Sequence, residues 1–198
     1  VLFTGSVSEY DYQYGFMTED KTPLNNEYLY GKSKAALYSL AKSYCKMNDL
    51  DFKWARLFNV YGPNERPQRL MPSVITACLK GEDVKVSTCT KFQDYLHVED
   101  LAQAIVALFE SDVKGAVNIC SGQPIQLRTI VERIAHFTNF AGKIEWGAIH
   151  TYFEEPVVVG NNSKLRDLVK FTPKYTLDEG LQQTINWWKE NIKEIANV

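Results

Sequence analysis

The sequence predicts an α/β protein built on a parallel sheet, and three observations carry that expectation. Val1-Leu2-Phe3-Thr4 is a short apolar run that stops at Gly5-Ser6, as a buried parallel strand does when its carboxyl end delivers a side chain into a crevice. From Tyr28 a helix is expected, with Leu37, Leu40, Ala41 and Tyr44 recurring at i, i+3, i+4 and i+7 up to Asn48. Phe52-Lys53-Trp54-Ala55-Arg56-Leu57-Phe58 is strand-like again and completes a strand–helix–strand unit.

Between the first strand and the helix, residues 7–27 are polar and aromatic without sustained period and read as an active-site loop or lid. The stripe from Leu37 to Tyr44 reads as core packing. Asn59-Val60-Tyr61-Gly62-Pro63-Asn64 is rich in turn formers and ends the second strand. Residues 72–80 read as helix, 84–86 and 92–98 as short strands, and 99–110 as a helix with Leu101, Ile105 and Leu108 on one side. Residues 117–120 are strand-like and stop at Ser121-Gly122. Residues 127–137 read as helix, 144–146 and 157–159 as short strands, 163–169 as a short helix and 177–195 as a closing helix. In that last helix Leu181, Ile185, Trp188 and Ile192 keep helical spacing, Asp178-Glu179 suit the first turn, and Trp187-Trp188 read as core. His97 lies at a strand-to-helix junction and reads as a structural hydrogen-bonding group.

With 198 residues, 45% of them hydrophobic and 13% aromatic, the chain can bury one good core or one domain with a smaller one appended. A net charge of −2 with both signs interspersed argues against a nucleic-acid or membrane-surface protein and points to a small ligand. Cys45, Cys78, Cys89 and Cys120 are scattered without a CxxC, and His97, His136 and His150 do not cluster with them. Neither a disulfide scaffold nor a metal site is expected, and free thiols fit a reducing cytoplasm. The longest apolar stretch, residues 101–109, contains Gln103 and is too short to span a bilayer, and no signal peptide opens the chain, so a soluble protein is expected. The chain starts without methionine directly in a strand-like run, which reads as the carboxyl-terminal part of something longer.

The chemistry centres on Tyr30-Gly31-Lys32-Ser33-Lys34. Residues four apart share a helical face, so the Lys34 ammonium can sit beneath the Tyr30 phenol. A cation at about 4 Å in an effective dielectric of about 20 favours phenolate by up to roughly 4 kcal/mol, or about three pKa units. Such a phenol would exchange protons near neutral pH. Tyr28/Lys32 and Tyr38/Lys42 share the spacing, but the neighbours single out Tyr30: Pro23 and Asn25-Asn26 break the chain before it, small Gly31 and Ser33 flank it, and Ala35-Ala36 follow.

Ser6, then Tyr30-x-x-x-Lys34, then Arg56-Leu57-Phe58-Asn59-Val60-Tyr61-Gly62-Pro63, then Gln93-Asp94-Tyr95-Leu96-His97-Val98-Glu99-Asp100-Leu101-Ala102 form an ordered series over nearly the whole chain. The series resembles the extended short-chain dehydrogenase/reductase superfamily, in particular its NAD-dependent epimerase/dehydratase family acting on nucleotide sugars. The resemblance implies a partial doubly wound, Rossmann-type parallel sheet with a smaller carboxyl-terminal α+β substrate-binding region. Residues 1–65 would be the last part of the dinucleotide-binding domain, and 66–198 mainly the substrate region, with about 90–120 returning to the first. It implies catalytic roles for Tyr30 as acid/base, Lys34 as its pKa-lowering partner and ribose ligand, and Ser6 as the group that aligns the substrate oxygen. Ser6, Tyr30, Lys34 and Phe58 would meet NAD or NADP, and Asn59, Arg69, Leu70 and Gln93 would meet the nucleotide sugar. No metal is implied, and a homodimer through the Tyr30 helix and the helix that precedes it in the family, absent from this sequence, is.

The departures from the family pattern are specific. Gln93 stands where an arginine commonly precedes the Asp-Tyr pair, and a second arginine expected near Tyr152 is absent, so diphosphate binding is either lost or moved to Arg66 and Arg69. Val7-Ser8 follow Ser6 where 4,6-dehydratases place Asp and Glu, which disfavours dehydration. No GxGxxG is present. The expected activity is NAD(P)-dependent oxidoreduction at a sugar carbon, as epimerase or keto-sugar reductase; the alternative is a non-catalytic dinucleotide or nucleotide-sugar binding module on the same fold.

Overall fold

The computed structural model describes residues 1–25, 27–150 and 156–195. In chain order the elements are β1 (Leu2–Ser6), β2 (Phe16–Met17), α1 (Leu29–Met47), β3 (Lys53–Leu57), β4 (Asn59–Tyr61), α2 (Leu70–Lys80), β5 (Val84–Val86), β6 (Phe92–His97), α3 (Val98–Glu110), β7 (Gly115–Ile119), β8 (Pro124–Gln126), α4 (Leu127–Phe137), β9 (Ile144–Trp146), β10 (Val157–Gly160) and α5 (Leu177–Ile195). They divide into two compact units. The first comprises Val1–Val60, Gln93–Pro124 and Val157–Lys174, and the second Tyr61–Phe92, Ile125–Pro156 and Tyr175–Val198.

The first unit is organised on a parallel sheet in the order β1-β3-β7. The register sets Phe3 beside Trp54 and Trp54 beside Ala116, and then Gly5 beside Arg56 and Arg56 beside Asn118. Successive strand residues face opposite sides. One face of the sheet therefore carries Leu2, Ala55, Leu57, Val117 and Ile119, which pack with Ala104 and Leu108 of α3 and with Leu165 and Val169. The other carries Phe3, Trp54 and Ala116, which pack with Phe52 and with Tyr38, Ala41 and Cys45 of α1. On this second face the next row along, Gly5-Arg56-Asn118, is polar. A second sheet, in the order β2-β10-β6-β4, accompanies the first, with Val159 and Gly160 of β10 paired in parallel to Phe16 and Met17 of β2.

Helix α1 reverses one expectation. Leu37, Leu40 and Tyr44 of the stripe assigned to the core are exposed, as is Met47, whereas Gly31, Ala41 and Cys45 are buried. Two stripes of helical period share this helix. The sheet beneath offers bulky rings, with Tyr38 meeting Trp54 edge-on at 5.3 Å and Phe52 at 5.6 Å between centroids. Small side chains on the helix complement them, so the small-residue stripe turns inward.

In the second unit β5 and β9 pair in parallel, Val84 with Ile144 and Val86 with Trp146, and α2, α4 and α5 pack on one another. Leu181, Ile185 and Trp188 of α5 are buried as the spacing requires, and Trp187 stands edge-on to Trp188 at 5.2 Å. Gly180 is needed where it stands, because a Cβ there would come within 2.2 Å of the Tyr61 hydroxyl. Among the described residues no helix is long and apolar enough to cross a membrane, and no three His, Cys, Asp or Glu side chains gather as a metal site.

The segment expected to be an active-site loop or lid, residues 7–27, contains 3₁₀ turns at Val7–Glu9 and Tyr12–Tyr14 as well as β2. Such short elements are set by caps and by partner strands, which leave no periodicity to read.

Candidate active site

Ser6 ends β1 and caps the turn that follows. Its Oγ accepts a hydrogen bond from the Ser8 amide (3.2 Å), while its own amide donates to Glu9 Oε1 (2.7 Å), a reciprocal capping box. The Oγ is thus engaged as an acceptor, which directs its proton elsewhere. Helix α1 packs on β1 and on this turn. Lys34 Nζ donates to the carbonyl of Thr4 at 3.0 Å, tying the second turn of α1 to the strand two residues before Ser6. Tyr30, in the first turn, is 57% exposed, and its carbonyl accepts from Ser33 Oγ at 2.8 Å. Among the described residues no hydrogen bond joins the Ser6, Tyr30 and Lys34 side chains to each other.

The other predicted residues of this unit divide by what they offer a ligand. The Phe58 ring is buried with Val7, Tyr10, Met17, Cys120 and Val158, and its amide donates to Ile119 O at 3.2 Å. Asn59 donates from Nδ2 to the carbonyl of Asp94 at 3.2 Å, and Gln93 is half-buried on β6. Arg69 and Leu70 belong to the second unit, where Arg69 precedes α2, is largely exposed and lies 3.6 Å from Glu65. Arg66 is exposed there too. The arginine position expected near Tyr152 lies outside the described residues.

Beneath Ser6 lies a buried polar layer whose partners no sequence motif named. Glu9 is fully buried and receives Arg56 Nε at 2.6 Å on Oε2 and the Trp54 indole at 3.1 and 3.2 Å on its two oxygens. Arg56 donates from its terminal nitrogen to the Tyr10 hydroxyl (3.1 Å), and that hydroxyl donates to Asn118 Oδ1 (2.8 Å). The guanidinium also lies 4.7 Å from the Tyr10 ring centroid and 4.9 Å from that of Tyr38. Burial works against the Arg56 charge, but the oxygens of Tyr10 and Glu9 outweigh it and raise its pKa; burial pushes the Tyr10 phenol up. Asn118 continues the layer, its amide donating to Glu19 Oε1 at 2.7 Å. The one legible signal for this layer was Ser6-x-x-Glu9, the spacing of a capping box.

Asp94 holds the strand ends. Its carboxylate accepts from the Ser121 amide and hydroxyl, the Gly122 amide and the Gly160 amide at 2.7–3.2 Å, and burial pushes its pKa up against the pull of those donors. His97 acts as the structural group its position implied: it is buried, and its Nδ1 accepts from the Glu99 amide at 3.4 Å as the cap of α3. Burial lowers its pKa.

A parallel β1-β3-β7 sheet packed between helices is a Rossmann-like α/β arrangement. The model of the NAD dependent epimerase/dehydratase family matches residues 1–120, and the chain belongs to that family. It is 27% identical over 179 residues to the UDP-glucuronate 4-epimerase of Thermodesulfobacterium geofontis, covering 89% of this chain and 54% of that protein. Among solved structures, the UDP-glucose 4-epimerase of Thermotoga maritima with UDP-glucose superposes with a TM-score of 0.87 at 19% identity, over 96% of this chain and 63% of that one. The dTDP-glucose 4,6-dehydratase of Bacillus anthracis in complex with NAD superposes with a TM-score of 0.85 at 26% identity, over 97% and 62%. The chain spans about half the length of the curated relatives it matches.

Proposed function

We propose that this chain carries the proton-transfer half of an NAD(P)-dependent enzyme that oxidises and reduces one carbon of a nucleotide-activated sugar, as an epimerase or a keto-sugar reductase. The observation that carries the reading is the Lys34 bond to Thr4, which anchors the Tyr30–Lys34 helix alongside the strand ending in Ser6. The groups present suit a nicotinamide cofactor, NAD or NADP. Lys34 commits one N–H to Thr4 and an ammonium has three, Tyr30 is open to a ligand, and Phe58, its ring in the core, would contribute backbone only. When bound, the nicotinamide supplies the hydride acceptor and donor.

The residues then have separate tasks. Tyr30, exposed in the first turn of α1, takes the proton from a sugar hydroxyl and returns it. Ser6, its Oγ accepting from the Ser8 amide, donates a hydrogen bond to the same sugar oxygen and fixes its position. Asn59 and Gln93, both in the first unit, would contact the nucleotide sugar. Val7 is buried among apolar side chains and Ser8 Oγ accepts from the Tyr12 hydroxyl (3.0 Å), so these two positions offer no acid for removing water. That favours epimerase or reductase over dehydratase. The four cysteines are free and buried, which suits a reducing cytoplasm. A second copy of the chain would cover the exposed face of α1.

The test is turnover by the full-length protein with NAD(H) or NADP(H) and a panel of nucleotide sugars, following nicotinamide absorbance and sugar products. A changed sugar without net cofactor consumption identifies an epimerase, and stoichiometric oxidation of reduced cofactor a reductase. Tyr30→Phe should lower kcat by about 10²- to 10⁴-fold with ligand binding kept. Unchanged turnover in that variant would overturn the role of Tyr30, and binding without product from any sugar would turn the reading to a binding module.

A further inference from the structure

The buried layer beneath Ser6 has more polar groups than the fold requires. The row Gly5-Arg56-Asn118 lies on the α1 side of the sheet, next to the apolar row Phe3-Trp54-Ala116 that packs with Phe52 and Tyr38. A buried ion pair is seldom worth more than apolar side chains of the same volume, so its presence here needs another account. What it holds is specific. Glu9 Oε1 receives the amide of Ser6 at 2.7 Å, and its other oxygen receives Arg56 at 2.6 Å, with the Trp54 indole reaching both. The carboxylate is thus fixed on three sides and grips the backbone of the one serine whose hydroxyl direction matters.

Two further observations point the same way. Gly5 leaves the space in which this grip is made: a Cβ there would stand 2.0 Å from Trp54 Nε1 and 2.3 Å from Glu9 Oε1. Arg56 also touches the helix that carries the other two groups, its guanidinium lying over the ring of Tyr38, two turns beyond Tyr30. The same cation therefore braces both the Ser6 turn, through Glu9, and α1, through Tyr38.

We propose that Glu9 and Arg56 are positioning residues: Glu9 holds the Ser6 amide so that its hydroxyl meets the substrate oxygen, and Arg56 holds Glu9 against the Tyr30–Lys34 helix. The inference rests on the Ser6–Tyr30–Lys34 reading above. Glu9 and Arg56 are both buried beneath the surface, so their loss should act on the rate and not on binding. A displacement of about 1 Å at the reacting centre can cost about 10²-fold in rate.

Removing one partner alone strands a buried charge, so the test replaces both. Glu9→Gln with Arg56→Met keeps an oxygen for the Ser6 amide without any charge, and Glu9→Leu with Arg56→Met removes the oxygen as well. Turnover in the full-length protein is measured for each, together with amide hydrogen exchange at Ser6. The leucine pair should lose about 10²-fold in kcat with KM little changed and show a Ser6 amide that exchanges at least about tenfold faster. The glutamine pair should recover to within about tenfold of the native kcat and keep the amide protected. Placed in a Ser6→Ala background, the leucine pair should cost nothing further, because the two changes act through one group. Glu9→Asp, which keeps the charge but withdraws the carboxylate from the Ser6 amide, should lose kcat by a similar factor.

Equal kcat in the glutamine and leucine pairs, or full additivity with Ser6→Ala, would overturn the positioning role while leaving Ser6 in place. If Ser6→Ala and Tyr30→Phe themselves leave turnover unchanged, the reading beneath the inference falls and the inference with it.

Discussion

Glu65 carries a titration that the native protein should report. Its Oε2 is buried without a hydrogen-bond partner, and burial pushes its pKa from 4.5 up to about 7, with Arg69 drawing it only part of the way back. Between those two values the folded chain holds a proton that the unfolded chain has released, so stability falls as pH rises through the window. Above about pH 7 the ionised carboxylate costs the fold up to about 3 kcal/mol, and the cost is relieved as the pH drops towards 4.5. Glu65→Gln should therefore melt higher than the native protein at pH 8 and match it near pH 5; parallel melting curves at both values would refute the assignment. Glu19 and Asp94 are shifted the same way by burial, which is why the comparison with the variant, and not the native slope, is the measurement. None of these shifts was legible in the sequence, because each depends on which oxygen the fold encloses. Ser6, Tyr30 and Lys34 could be proposed from the sequence because each stands in a short motif, and Glu9 only in part: its capping spacing is in the sequence, but its partners Trp54 and Arg56 come from another strand.

Helix α3 shows how an element is ended from outside. Its last carbonyls have no partner within the helix, and Lys53 of β3 reaches across to donate to Leu108 O at 3.0 Å, to Phe109 O at 2.8 Å and to Ser111 O. A cation at the carboxyl end of a helix is favoured by the helix dipole, and this one is buried, where such bonds count for more. Lys53→Met keeps the aliphatic stem and deletes the donors. It should destabilise the protein by about 1–3 kcal/mol, lowering Tm by roughly 2–10 °C. A melting point unchanged in Lys53→Met would show that water replaces the ammonium without loss. The sequence placed Lys53 on a strand and could not show this cap, since donor and acceptors are more than 50 residues apart. The same limit explains α1. Periodicity reveals that a helix has an apolar stripe, but not which of two stripes finds the sheet, and here the rings of Trp54 and Phe52 select the small residues. Long regular elements, such as α4 over Leu127–Phe137 and α5 over Leu177–Ile195, were read directly, while β2, β4 and β8, two or three residues each, were not.

For the whole molecule, the family was legible from an ordered series of short motifs spread along the chain, and the match over residues 1–120 bears that out. Assembly is the property those motifs reach only indirectly, and the exposed face of α1 makes it testable. Leu37, Leu40, Tyr44 and Met47 follow one another at i, i+3, i+7 and i+10 and are 44%, 69%, 62% and 85% exposed. Such a stripe on a helix whose other face is already packed needs a cover. A symmetric dimer supplies one economically, because a single change then appears on both sides of the interface. If a second copy is the cover, Leu40→Glu places two carboxylates into the contact. Each buried leucine lost is worth about 1.5–3 kcal/mol, so the dimer should weaken by at least about 10²-fold, read by sedimentation of the full-length protein across a concentration series. The variant should sediment as a folded monomer with an unchanged circular dichroism spectrum. A native protein that is monomeric at every concentration, together with a variant that loses its fold, would instead show that the stripe is covered by the protein's own chain. The two results separate cleanly, because self-association depends on concentration and an intramolecular cover does not.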